Sequence, residues 1–210
     1  LGDVYKRQDK HLYAWLSREF GEQNAKELLP VMNEYYRLAY IRKPEYMGYT
    51  RTEEKDPIYK VVSDLPWSEA YINRRIQDYK AISEKVQELS QKISPEKQST
   101  WFQLIEYPVR SAAEMNYKHL YGQLARHGKV DWSLSDSAFN EIVSLTTNYN
   151  KLSNGKWQYI MSHQPRKLPV FDRVPHTTAV TPLMQEKTPL YLFNGAGYHE
   201  YRGCLLYTSD

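Results

Sequence analysis

The side chains that could do chemistry are spread thinly along this chain. Its six histidines stand at 11, 119, 127, 163, 176 and 199. None is paired at the short spacing that would bring two imidazoles to one metal. Cys204 is the only cysteine, which argues against a disulfide framework or a thiolate metal site. Glu106 and Glu114 fall in a stretch of helical periodicity, where carboxylates are ordinarily solvated or salt-bridged. There is no glycine-rich phosphate loop, no G-x-S-x-G elbow and no H-E-x-x-H pair. The residues alone assign no catalytic group, substrate-binding group, metal ligand or cofactor.

Arg42-Lys43-Pro44-Glu45 is more informative. Two cations end a helix, where they suit its dipole, and a proline stops it. Glu45-Tyr46-Met47-Gly48-Tyr49 then puts three large side chains on a loop. Arg42, Glu45 and Tyr46, with Trp157 and Arg166 farther on, are candidate interface residues. The 19 tyrosines and 5 tryptophans have two readings. Core filling accounts for Tyr36, Tyr79, Trp101 and Tyr149, all on predicted buried stripes. Sugar stacking by exposed Tyr46, Tyr49, Tyr59 and Trp67 is the competing reading. Core filling carries more weight, because helical bundles rarely present flat aromatic platforms; contacts with another domain would also use such residues.

The elements that must position these residues are helical. His11 to Phe20 predicts a short helix stopped at Gly21. Asn24 to Ile41 carries Ala25, Leu28, Leu29, Met32, Tyr36 and Ala39 on one face, with Pro30 expected to kink it. Arg42 to Trp67 reads as a long connection. Ser68 is a plausible N-cap for a helix buried through Ile72, Ile76, Tyr79, Ile82, Val86, Leu89 and Ile93. Ser94-Pro95 reads as N-cap and first residue of the next helix. That helix runs through Trp101, Leu104, Ile105, Val109, Ala112, Met115, Leu120 and Leu124, with a second kink expected at Pro108. The last long helix covers Leu134 to Leu152, and Asn154-Gly155 ends it. Prolines then punctuate an extended segment, and Leu190-Tyr191-Leu192-Phe193 before Asn194-Gly195 predicts a strand entering a turn. The fold class is mainly α: an antiparallel bundle of about five helices over 9–174, then a linker and the start of a β-sandwich over 175–203. Trp157 and Phe171, on the apolar connector from Lys156 to Phe171, are expected to lie buried against the bundle, with Arg166 projecting outward.

Net charge is +3 with both signs interspersed, which supplies no clustered basic face for nucleic acid. No apolar run reaches the length of a membrane span. The two ends read differently from the rest. Asp3-Val4-Tyr5-Lys6-Arg7-Gln8 and Cys204-Leu205-Leu206-Tyr207-Thr208-Ser209-Asp210 resemble translations of one sequencing adaptor and its complement. Residues 1–8 and 204–210 are therefore expected to be adaptor scars on a shotgun fragment, and are set aside from fold reasoning.

Phe20-Gly21 through Arg42-Lys43-Pro44-Glu45 resembles the opening of the helical domain of glycoside hydrolase family 115. Leu104, Tyr107-Pro108-Val109, Ala112-Ala113 and Met115-Asn116 fit that domain's central helix. Tyr149-Asn150, Gly155-Lys156-Trp157, Met161 and Pro165-Arg166-Lys167-Leu168-Pro169-Val170-Phe171 are similar to its exit. The resemblance implies a large enzyme ordered as α/β domain, catalytic barrel, helical bundle and β-sandwich. It implies removal of glucuronic acid or its 4-O-methyl ether from xylan, with inversion by an acid and a base about 6.5–9.5 Å apart. Those groups belong to the barrel, so this chain alone is expected to be inactive. Its implied partners are the barrel and β-sandwich of the same chain, xylan through the parent enzyme, and a second copy in a homodimer; its implied location is periplasmic or secreted. The alternative is a stand-alone helical module that binds carbohydrate or a partner protein.

Overall fold

A computed structural model describes residues 2–48, 63–179, 182–185, 190–193 and 198–201, with backbone alone at 2–7, 190–193 and 198–201. The helices are α1 (Gly2–Phe20), α2 (Glu22–Ile41), α3 (Glu69–Ser90), α4 (Gln98–Trp101), α5 (Tyr107–Arg126) and α6 (Ser133–Gly155). Two strands, β1 (Leu190–Phe193) and β2 (Tyr198–Tyr201), pair antiparallel with Leu190 opposite Tyr201. The five long helices pack as a row, α1 on α2, α2 on α3, α3 on α5 and α5 on α6. The expected mainly helical bundle is the fold observed, and the expected strand is β1.

Gly21 alone joins α1 to α2. Its φ of 84° lies in the left-handed region that favours glycine, so the chain reverses in one residue. α2 then continues as one helix through Pro30. Ser68 caps α3 as expected: its hydroxyl accepts the Tyr71 backbone N–H at 3.2 Å. Ser94 stands before a single turn, Pro95–Lys97, but its side chain goes to Glu96 rather than to a helix N–H.

The expected kink at Pro108 takes another form. Phe102–Glu106 forms a π-turn immediately ahead of the proline. Pro108 has no N–H for the Leu104 carbonyl and its ring crowds that carbonyl, so a wider turn there absorbs the misfit. Leu104 consequently stands exposed instead of on the buried stripe. α6 keeps helical backbone to Lys151, after which Ser153, Asn154 and Gly155 all take positive φ.

The largest core joins α1, α2, α3 and the start of α5 around Trp101, which is fully buried and meets Phe20 edge-on at 5.1 Å between centroids. A second core gathers Met47, Leu65, Trp67, Ile72, Ile76, Leu120 and Leu124. A third joins Met115, Ile142 and Val170. Three expectations are corrected here. Trp67 is only 4% exposed, so it fills a core and offers no stacking platform. Tyr36 is 51% exposed although Leu38, two residues on, is buried in the core, so it lies off the buried face of α2. Trp157 and Phe171 are each half-buried, and the fully buried anchor of the connector is Val170 between them and the bundle. Tyr49 and Tyr59 lie outside the described residues.

Gly122 lets the connector approach α5. A Cβ there would stand 2.9 Å from Val174 Cγ1, on a stiff β-branched side chain. Gly122→Ala would gain about 1 kcal/mol of helix propensity and lose roughly 1–3 kcal/mol to overpacking. A net loss of roughly 1 kcal/mol is expected in urea unfolding; a net gain would show that Val174 does not press on α5.

Candidate functional site

α5 is apolar on the stripe that faces α3, yet it buries Asn116, Lys118, His119, Gln123 and Arg126. A buried polar group needs a partner or costs on the order of 1–3 kcal/mol. Lys118, His119, Gln123 and Arg126 find partners in non-helical segments and Asn116 bonds Arg75 on α3, so α5 acts as a spine to which other parts of the chain are tied.

The first tie runs through α3. Arg75 is 2% exposed and sits between the Trp67 and Tyr79 rings, its guanidinium carbon 5.2 Å from each centroid. Its Nε donates to Asn116 Oδ1 at 2.8 Å, and Nη2 donates to the Leu38 and Arg42 carbonyls at 3.1 and 3.0 Å. Those carbonyls close the C-terminal end of α2, where the helix dipole favours a cation. The fork thus joins α2, α3 and α5 at one point.

The second tie is an amide pair. Gln123 donates to the Leu65 carbonyl at 2.9 Å and accepts the Leu65 N–H at 3.0 Å. Beside it Arg126 holds Asp64 Oδ1 through Nε and Nη2, at 2.9 and 2.6 Å, while His127 meets Asp64 Oδ2. The third tie holds the connector. Lys118 Nζ donates to the Val170 and Asp172 carbonyls at 2.8 Å each, and His119 Nε2 donates to Val170 O at 3.0 Å. Burial pushes the Lys118 ammonium down to about 7, opposed by Asp172, and lowers His119 well below its ordinary value. Farther along, the Ala179 N–H donates to the Arg126 carbonyl at 3.0 Å, and Arg173 bonds Asp136 and Asn140 on α6 at 2.7 and 2.9 Å.

Of the five residues singled out from sequence, Arg42 enters these ties through its backbone carbonyl, and the other four make none of these hydrogen bonds. Arg42 folds over its own turn, donating twice to the Tyr46 carbonyl at 3.0 and 2.6 Å. Glu45 and Tyr46 belong to the single turn Pro44–Tyr46, which lies against the turn Pro169–Phe171. Trp157 receives the Lys156 ammonium 4.9 Å from its ring centroid. Arg166 is exposed on a turn at a φ of 55°. Arg42, Glu45 and Tyr46 are thus together, and Arg166 shares a chain segment with the turn they touch. Arg75, Asn116, Lys118 and Gln123 were missed. The signal was present: Asn116 and Gln123 fall between Ala112, Leu120 and Leu124 on one apolar stripe, where a polar side chain must find a buried partner.

A cleft of about 440 Å³ opens beside the start of α3, lined in part by Ser68, Glu69, His127, Lys129, Leu183 and Met184. Its polar groups are engaged with one another or with their own backbone: Lys129 pairs with Glu69 at 2.9 Å, His127 with Asp64, and Ser68 caps α3. Arg110 of α5 likewise binds Glu106 of the π-turn and Glu141 of α6, at 2.6 Å each. Among the described residues no group of histidines, cysteines and carboxylates could hold a metal, and no helix is long and apolar enough to cross a membrane.

No family model and no curated protein matches the chain. A solved structure does, with 50% identity and a TM-score of 0.85 over 90% of the chain: a family GH115 4-O-methyl-α-glucuronidase with specificity for decorated arabinogalactans. Over 90% of its length the chain is similar to a segment of that family 115 protein. It spans 25% of that relative's length.

Two outcomes are expected. Lysine in place of Arg75 keeps the charge but cannot reach three acceptors in fork geometry. Arg75→Lys should cost roughly 2–3 kcal/mol in urea unfolding; an unchanged midpoint would mean that the fork is dispensable. Glu114 supplies a pH test. Burial and the nearby Glu141 raise its carboxyl to about 7, against Arg110. Between the ordinary 4.5 and about 7 the folded state keeps a proton the unfolded chain has lost, so stability falls as pH rises through that window. Glu114→Gln should stabilise the chain above pH 7 and make no difference at pH 4, and an equal effect at both would refute the assignment.

Proposed function

We propose that residues 9–203 are a non-catalytic structural domain of an α-glucuronidase. Residues 1–8 and 204–210 are, in this reading, adaptor-encoded and foreign to the fold. The observation that carries the proposal is the combination of 50% identity over 90% of this chain with coverage of 25% of the relative. The inward use of the polar side chains supports it. Arg75, Lys118, Gln123 and Arg126 spend their donors on holding chain segments, and Arg110 neutralises two carboxylates, which suits a brace better than a reaction centre.

The parent enzyme would release glucuronic acid or its 4-O-methyl ether from a branched plant polysaccharide, in the periplasm or outside the cell. Xylan is the substrate the family resemblance implies, and the relative has specificity for decorated arabinogalactans. The shared element is the α-linked uronic acid, so the backbone is a question for the missing part of the enzyme. Arg42, Glu45, Tyr46, Trp157 and Arg166 are proposed to face the neighbouring domains or a second copy.

The test has two arms. This purified chain is expected to release no uronic acid from glucuronoxylan or from a glucuronidated arabinogalactan. The parent protein, recovered by extending the coding DNA, is expected to release it from at least one of the two. Release by the chain alone would end the non-catalytic reading; a parent inactive on both would end the glucuronidase reading.

A further inference from the structure

We infer that the end of α6 and the loop that leaves it, from Lys151 to Lys167, form a binding surface for a uronate-bearing polysaccharide. The inference deepens the proposed function and rests on it. Among the described residues, the non-glycine residues with positive φ are Ser153, Asn154, Tyr159, Arg166 and Lys167, all on this loop. Left-handed backbone is unfavourable for residues with side chains and persists only where the surroundings fix it. Here α6 fixes it. Asn150 Nδ2 donates to the Met161 carbonyl at 2.9 Å, and Asn150 Oδ1 accepts the Met161 N–H at 3.0 Å. The loop is held in a shape that leaves Tyr159 86% and Ile160 57% exposed. A surface shaped before its ligand arrives loses less entropy on binding.

The charge of the loop has one sign. Between Glu141 and Asp172 the sequence has no aspartate or glutamate, while Lys151, Lys156 and Lys167 all stand exposed. Both bounding carboxylates are engaged, Glu141 with Arg110 at 2.6 Å and Asp172 with the Gln164 amide at 2.6 Å. None of the three lysines forms an ion pair among the described residues, although Glu45 sits on the turn that lies against Pro169–Phe171. Lys156 is positioned by its neighbour, its ammonium 4.9 Å from the Trp157 ring centroid. Trp157 and Arg166 stay with the neighbouring domains and make no part of the surface.

The combination selects the ligand. The C–H face of a pyranose ring is apolar with a slight positive charge on its hydrogens, so it suits the negative face of the Tyr159 ring. A uronate carboxylate suits a lysine ammonium. Tyr149, next to Asn150, and Tyr107 are half-buried with centroids 4.8 Å apart, and add aromatic surface at the same end of α6. A polysaccharide carrying glucuronate offers sugar faces and carboxylates together. A polyanion of another class needs a wider basic face, and the net charge of +3, with both signs interspersed, supplies none.

Affinity electrophoresis of this chain tests the inference, in gels containing glucuronoxylan or a glucuronidated arabinogalactan, each read against a gel without polysaccharide. Retardation by at least one is expected. It should fall several-fold when the uronates are reduced to the neutral sugar, in the combined Lys151→Gln, Lys156→Gln, Lys167→Gln variant, and in Tyr159→Ala. Tyr159→Phe keeps the ring and should be retarded like the unchanged chain. All four side chains are exposed, so the fold should survive, and unfolding midpoints check that it does. No retardation in either gel would overturn the inference. Equal retardation by poly-glutamate or single-stranded DNA would overturn it as well, since charge alone would then suffice. So would full retardation of the lysine variant or of Tyr159→Ala, which would put the contact elsewhere. Uronic acid release by the parent is measured separately. A parent that releases none while this chain is retarded ends the glucuronidase reading alone, and the converse ends this inference alone.

Discussion

Five polar side chains buried on one helix have to be satisfied without water, and the arrangement of this domain follows from where they find partners. Asn116, Lys118, His119, Gln123 and Arg126 lie on α5 between layers of apolar packing. Left unpaired, each would cost on the order of 1–3 kcal/mol, enough together to erase the stability of a domain this size. Their partners are the end of α2 through Arg75, the segment at Asp64 and Leu65, and the connector at Val170 and Asp172. These are the irregular stretches, whose own backbone groups lack ladder partners. One set of hydrogen bonds thus answers two needs.

The backbone of α5 is adapted to that central place. Gly122 gives up helix propensity so that Val174 can close on it, and Ala112 and Ala113 keep the neighbouring turns thin. The π-turn at Phe102–Glu106 lets the helix pass Pro108 without breaking, and carries Trp101 into the main core at its start. A bundle whose middle helix is buried nearly all round gains area on every side, which is where most helical stability originates.

The polar chemistry of this segment points inward. Most described charges on the outside are paired locally, as in the Glu27, Lys85, Glu88 and Lys92 network. Such exposed pairs contribute little stability individually, and they keep the surface polar where no partner sits. The departures from that pattern are aromatic: Tyr40 and Tyr159 are the most exposed large apolar side chains among the described residues.

Periodicity in the sequence determined the helices, because an apolar stripe at spacings of three and four can be buried in only one way along a single helix. It located α2, α3 and α6 to within a few residues and read α4, the π-turn and α5 as one helix, and turn residues marked the ends at Gly21, Ser68 and Asn154. Short strings at the two ends and the middle of the domain, rather than periodicity, carried the resemblance to family 115. What periodicity leaves open is which helix is central. Tyr36 and Trp67 are both aromatic, and one lies at the margin of the hairpin while the other lies under α3, because burial depends on which helix covers which face. The partners of Arg75, Lys118 and Gln123 are 33 to 58 residues away in the chain. Local pattern carries no information over that separation, so only the assembled bundle decides that these side chains face inward and what they hold.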